Sequence, residues 1–181
     1  MLLFMLMLLA APPTVAGSVD ARPVYRFDGD ALPWRSINDG VMGGLSSGGM
    51  RIEDGTAVFS GTLSLENNGG FSSIRSIPAK HALGGKAGLV LRVRGDGRTY
   101  GLRLRTNDRF DGPSYQAALP TRNGVWTEVR IPFDRFEAVF RGRKVPRYYE
   151  LSPENIRTFG LIIADKQPGE FRLELESITA Y

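Results

Sequence analysis

The chain has 181 residues, 42% apolar and 23% charged, which is ordinary globular usage, sufficient for one hydrophobic core and unlike the composition of a disordered chain. It has no cysteine and one histidine, His81, which excludes disulfides, thiolate-ligated zinc, thiol nucleophiles and any site needing two imidazoles. The net charge of +4 arises from 23 basic residues, mostly arginine, against 19 acidic ones interspersed through most of the chain, so nucleic acid is not an expected partner.

Met1 to Ala11 are uninterruptedly apolar. A membrane-spanning helix needs roughly 20 such residues, so this run, followed by Thr14-Val15-Ala16, reads as a secretory leader over residues 1–16. Residues 20–181 then form one domain, since no repeat, low-complexity tract or linker divides them, and no stable membrane span is expected after leader cleavage.

Downstream, period-two alternation dominates, the mark of half-buried strands. A short strand is predicted at Val24–Phe27. Trp34 to Ser46 mixes an aromatic residue, two Asx residues, three glycines and a methionine, and is read as irregular. Its Asn38-Asp39-Gly40 suits an Asx turn, and Gly43-Gly44 permits close backbone approach; equally, the loop could bring an aromatic platform and carboxylate oxygens to one rim.

Strands are predicted at Met50–Ile52, Ala57–Leu65 and Phe71–Ile74, and His81 is placed in a surface loop. Leu89, Leu91 and Val93 alternate with Val90, Arg92 and Arg94. After Gly95-Asp96-Gly97-Arg98 the pattern resumes at Tyr100, Leu102 and Leu104, so this stretch is predicted to be a hairpin. Further strands are expected at Tyr115–Leu119, Val125–Ile131, Phe159–Ala164 and Phe171–Thr179, with helical turns at Phe133–Phe136 and Ser152–Ile156, the latter from proline after a serine cap. Many short strands between Gly, Pro and Asn turns indicate an all-β sandwich or barrel.

The hairpin would present Arg92, Arg94, Arg103 and Arg105 on one outward face, where like charges repel. Neutralisation by a neighbouring strand bearing Glu174 and Glu176, or by solvent, is one reading. An anionic or polyhydroxylated ligand, matched by the planar guanidinium fork, is the other. Asp39, Asp96 and Asp165 could be paired carboxylates, calcium ligands or simply turn residues. No phosphate-binding loop, nucleophile elbow or dinucleotide fingerprint occurs, so catalysis has little support, and no cofactor or metal is implied.

Several blocks occur in order: Trp34 with Asn38-Asp39-Gly40-Val41-Met42-Gly43-Gly44-Leu45-Ser46, Phe59-Ser60-Gly61, Asn68-Gly69-Gly70-Phe71-Ser72-Ser73-Ile74-Arg75, Arg94-Gly95-Asp96-Gly97-Arg98-Thr99-Tyr100, Ser114-Tyr115-Gln116-Ala117, Trp126 with Ile131-Pro132-Phe133, Arg141-Gly142-Arg143, and Ile163 to Phe171. Together they resemble the complex I intermediate-associated protein 30 family over about Phe27 to Ile178. The resemblance implies a galactose-binding-domain-like jelly-roll β-sandwich and a non-enzymatic role, because mitochondrial members are assembly factors that hold subunits of respiratory complex I. Those members would carry an Arg-rich transit peptide, whereas this chain begins with an apolar, export-like run. An exported, periplasmic or extracellular location is therefore expected, with membrane anchoring if the leader is retained.

The expected function is a binding module for a protein partner, acting in assembly or chaperoning; the alternative is an exported carbohydrate-binding module. For a glycan, Trp34 or Tyr115 would be the stacking platform and Asp39, Asp96 or Arg94 would supply hydrogen bonds. An enzyme working through Asp39 and Asp165 is a third reading. The candidate ligand- or partner-binding residues are Trp34, Asn38, Asp39, Met42, Asn68, Phe71, Arg94, Asp96, Arg98, Tyr115 and Asp165.

Overall fold

The computed structural model describes residues 21–28 and 33–181, so the expected leader lies outside the described residues. In chain order the strands are β1 (Arg22–Arg26), β2 (Trp34–Asn38), β3 (Ser47–Glu53), β4 (Thr56–Leu63), β5 (Ser72–Ser76), β6 (Gly88–Gly95), β7 (Thr99–Arg105), β8 (Ser114–Pro120), β9 (Thr127–Pro132), β10 (Glu137–Phe140), β11 (Arg143–Lys144), β12 (Thr158–Ile163) and β13 (Gly169–Ala180). One antiparallel sheet runs β3-β4-β13-β6-β9, with β1 also paired to β13; the other runs β11-β10-β8-β7-β12-β5-β2.

Alternation decides which side chains enter the space between the sheets, because successive Cβ atoms of a strand point to opposite faces. Leu89, Leu91 and Val93 of β6 and Leu102 and Leu104 of β7 are fully buried, as are Phe159 of β12 and Leu173 of β13. Each removes an apolar side chain from water, worth about 1.5–3 kcal/mol. These residues form one core with Tyr25, Phe27, Phe59, Tyr100 and Phe171. The two predicted helical turns are present as short 3-10 turns, Phe133–Arg135 and Pro153–Asn155.

The predicted hairpin is not one. β6 lies in the first sheet beside β13 and β9, whereas β7 lies in the second between β12 and β8. Residues 96–98 arch across the sandwich. The Asp96 carboxylate holds the arch, accepting from the backbone N–H of Arg172 on β13 at 2.9 Å and from the Tyr100 hydroxyl at 2.9 Å. A glycine-rich turn supplies a reversal but does not specify which sheet receives the next strand.

Two other expectations change. Trp34–Asn38 is a regular edge strand paired to β5, because the Gly-rich irregularity begins only at Asp39. His81 lies in a loop but is half-buried: its ring packs 4.9 Å from Phe159 and 5.5 Å from Tyr25, and burial pushes its pKa down.

The β2–β3, β4–β5, β6–β7 and β12–β13 connections all cross between sheets at one end. The register shows this directly: the end of β2 (Asn38) pairs with the start of β5 (Ser72), which pairs with the end of β12 (Ile163), itself followed by the start of β7. The glycine-bearing turns singled out in the sequence therefore gather at a single rim.

Candidate functional site

Asp39 organises that rim. Its side chain is fully buried, and its two oxygens accept four hydrogen bonds: from the Ser46 backbone N–H (2.9 Å) and hydroxyl (2.5 Å), and from the N–H groups of Gly70 (2.7 Å) and Phe71 (3.2 Å). Burial alone would raise its pKa, but these donors outweigh burial and hold the carboxyl below the usual carboxylate range. Two glycines make the approach possible. A Cβ at Gly44 would lie 2.4 Å from Asp39 Cγ, and one at Gly69 would lie 2.7 Å from Asp39 Oδ2. Asn38 adds a lateral tie, its side chain donating to the Gly48 carbonyl and accepting from the Ser72 hydroxyl.

The consequence is a loop pinned from beneath whose apolar side chains face water. Val41 is 73% exposed, Met42 62%, Leu45 57% and, on the adjoining turn, Leu65 43%. Folding would normally bury such residues, and nothing in the local backbone requires them to be apolar. The sequence reading selected Met42 but missed Val41 and Leu45, whose signal was two aliphatic residues inside a Gly-rich loop, and it placed Leu65 in a strand that ends at Leu63.

A second hub lies on the same rim. The Arg98 guanidinium forms a two-point contact with Asp165, Nε to Oδ2 at 2.9 Å and Nη2 to Oδ1 at 2.6 Å, and also donates to the carbonyls of Glu170 and Gln167. Both side chains are 11% exposed. The Arg98 hydrogen bonds hold Asp165 below the usual carboxylate range against the opposing effect of burial. Asp96, Arg98 and Asp165 thus lock the β6–β7 and β12–β13 connections together. An open cleft of about 500 Å³ beside them is lined by Ser60, Thr62, Asp96, Glu170 and Arg172, with Phe171 as its ring, and that ring is 3% exposed.

Of the remaining candidates only Phe71 reaches a hub, through its backbone N–H to Asp39. Trp34 is half-buried, 5.4 Å from the Tyr25 ring and packed on the core. Tyr115 is 4% exposed and donates its hydroxyl to the Tyr149 carbonyl. Neither offers a stacking platform. Asn68 is exposed in the turn beside Gly69, in the left-handed region at φ 58°, and Phe71 is half-buried at the turn's end. Arg94 lies on the outer face of the first sheet, paired with Glu174 and 4.9 Å from the Trp126 ring centre.

The four arginines read as one face divide between two. Arg92 and Arg94 belong to the first sheet, where Glu176 and Glu174 neutralise them. Arg103 and Arg105 belong to the second sheet, and the acidic strand β13 is not its neighbour. Asp39 and Asp165 share a rim, but each has its oxygens committed, one to backbone and Ser46 donors, the other to Arg98. Among the described residues no group of three or more His, Cys, Asp or Glu could hold a metal ion, and no helix is long and apolar enough to cross a membrane.

A family model described as complex I intermediate-associated protein 30 matches residues 25–175. The chain belongs to that family. Its relatives include "Probable complex I intermediate-associated protein 30, mitochondrial" of Caenorhabditis elegans, 30% identical over 90% of this chain and 54% of that protein. The Mus musculus "Complex I intermediate-associated protein 30, mitochondrial" is 29% identical over 89% of this chain and 56% of its own length. The chain spans about half the length of the curated relatives it matches. Among solved structures, the family 11 carbohydrate-binding module of a cellulosomal cellulase of Clostridium thermocellum superposes with a TM-score of 0.69 at 16% identity, covering 91% of this chain and 95% of that one. An agarase matches at TM-score 0.56 and 13% identity, covering 88% of this chain and 24% of its own. At these identities the likeness establishes the jelly-roll sandwich and no more.

The relatives are named mitochondrial, which overturns the exported, periplasmic or extracellular location expected from the apolar start. Hydrophobicity of a short run sets its partition into an apolar phase; it does not specify which receptor or membrane reads it.

Proposed function

We propose that residues 20–181 form one non-enzymatic module that assists assembly of a respiratory complex by holding a protein partner at the Asp39 rim. The carrying observation is the pairing of a fully buried, four-bonded carboxylate with exposed Val41, Met42 and Leu45 in the same loop. A loop fixed before binding loses little conformational entropy on docking, and apolar side chains held in water gain most from being covered. Family membership supports a partner of the assembly kind, since the relatives carry the name complex I intermediate-associated protein. In this reading Asn38, Asp39, Asn68 and Phe71 shape the rim, Met42 contacts the partner, and Asp96, Arg98 and Asp165 brace the flank.

The glycan reading has weaker support. The likeness to the carbohydrate-binding module is one of fold, and the two rings it would use, Trp34 and Tyr115, are engaged with the core.

The test is affinity capture from a mitochondrial membrane extract with wild-type protein and with the Met42→Ser/Leu45→Ser double variant. Respiratory-complex subunits recovered with the wild type and lost with the folded variant are the expected result. Equal recovery by both proteins would remove the rim from the interaction.

A further inference from the structure

Arg75 of β5, Gly160 of β12 and Arg103 of β7 lie side by side in one cross-strand row, and Arg105 follows two residues beyond Arg103 on the same face. Gly160 leaves the centre of this row without a side chain; a Cβ there would lie 3.6 Å from that of Arg103. The result is a notch of about 20 Å³ lined by Ser73, Arg75, Arg103, Arg105, Thr158 and Gly160, room for a single oxygen-sized group.

No carboxylate pairs directly with the three guanidiniums, and Asp111 offers Arg75 and Arg105 only longer-range compensation. Each guanidinium donates to one neutral acceptor: Arg75 to the Phe110 carbonyl (2.8 Å), Arg103 to Gln116 Oε1 (2.7 Å) and Arg105 to the Pro113 carbonyl (3.3 Å). Among the described residues none forms an ion pair. The acids nearby pair elsewhere, Asp108 with Arg157 and Glu137 with Lys144, and Asp111 loosely with Arg141 at 3.7 Å. Arg35 adds a fourth charge, directly opposite Arg75 on β2. Burial first, and the neighbouring arginines second, push Arg75 and Arg103 down to about 10, with Asp111 partly opposing the shift at Arg75; both stay cationic at neutral pH.

We propose that this row is a phosphate-binding site, with Arg75 and Arg103 clamping the anion from either side, one oxygen entering the notch over Gly160, and Arg105 closing the third side. A carboxylate brings one negative charge, whereas a phosphate monoester brings about 1.5–2 and three acceptor oxygens, a better match to three unpaired guanidinium forks. The site lies on the outer face of the second sheet, away from the Asp39 rim, and is independent of the assembly reading.

The test is calorimetric titration and thermal melting of the full chain with inorganic phosphate and with glycerol 3-phosphate, using acetate at equal ionic strength as the control. Phosphate should bind and raise the melting temperature where acetate does not. Tighter binding of glycerol 3-phosphate would assign a phosphomonoester source, and tighter binding of inorganic phosphate a free anion. Arg75→Gln and Arg103→Gln should each weaken binding about tenfold or more, through loss of a charge-assisted two-point contact. They should also melt higher than wild type without phosphate, an effect opposite to losing a structural arginine. Arg92→Gln, on the other sheet, should bind as wild type. If Arg103→Gln does not fold, Arg103→Lys carries the same expectation of weaker binding. Equal stabilisation by acetate, or unchanged phosphate affinity in the row variants, would overturn the site.

Discussion

Arg98 and Asp165, 67 residues apart in sequence, meet in a two-point ion pair that ties the β6–β7 arch to the β12–β13 turn. Because both side chains are nearly enclosed, Asp165→Ala should cost about 2 kcal/mol, below the full penalty for a broken buried pair because two carbonyls still accept from Arg98. Chemical denaturation reads this directly, and a loss under 0.5 kcal/mol would show the contact to be dispensable.

Asp39→Asn should be the most damaging polar change at the rim. An amide replaces an acceptor oxygen with a donor facing other donors, at a cost of about 3 kcal/mol. The pH dependence follows from the lowered pKa of Asp39: the folded state binds its proton less readily than the unfolded chain. Its stabilisation is therefore full above the unfolded value and lost as pH falls through the lower folded one. Denaturation midpoints across the acidic range should fall less steeply in Asp39→Asn than in wild type.

Two glycines in one loop should respond differently to alanine. Gly44→Ala drives a Cβ to within 2.4 Å of Asp39 Cγ and should cost about 2 kcal/mol or more, whereas Gly40, with nothing within 4 Å of its Cβ position, should tolerate alanine within about 0.5 kcal/mol. Thermal melts of the two variants provide the comparison.

Leu102→Ala, at a fully buried position of β7, should cost about 3 kcal/mol through lost burial and a residual cavity. Met42→Ser, at a residue 62% exposed, should leave the melting temperature within a degree or two of wild type. A large loss for Met42→Ser would make its loop a structural element instead of a free surface.

Much of the fold was legible because a strand's side chains alternate with a period of two. Leu91, Leu102 and Leu173, each marked by alternation alone, are all fully buried. The rim was legible as a set of Gly- and Asx-rich turns, and Asp39 stood out within one of them. Its burial was not legible, since four donors from residues seven to thirty-two positions away had to converge on it. Arg75 was passed over for the same reason: nothing near it in sequence shows that Arg103 lies two strands away.

The sequence by itself determined the all-β class, the inward faces of the strands and the family, because alternation and motif order are properties of the chain read locally. Tertiary structure alone decided which sheet each strand joins. β6 and β7, adjacent in sequence, part to opposite layers, so Arg92 and Arg94 find glutamates while Arg103 and Arg105 do not. The reason is physical: alternation fixes which face of a strand is apolar, but either sheet can cover that face, and the choice rests on long-range bonds such as Asp96 to β13.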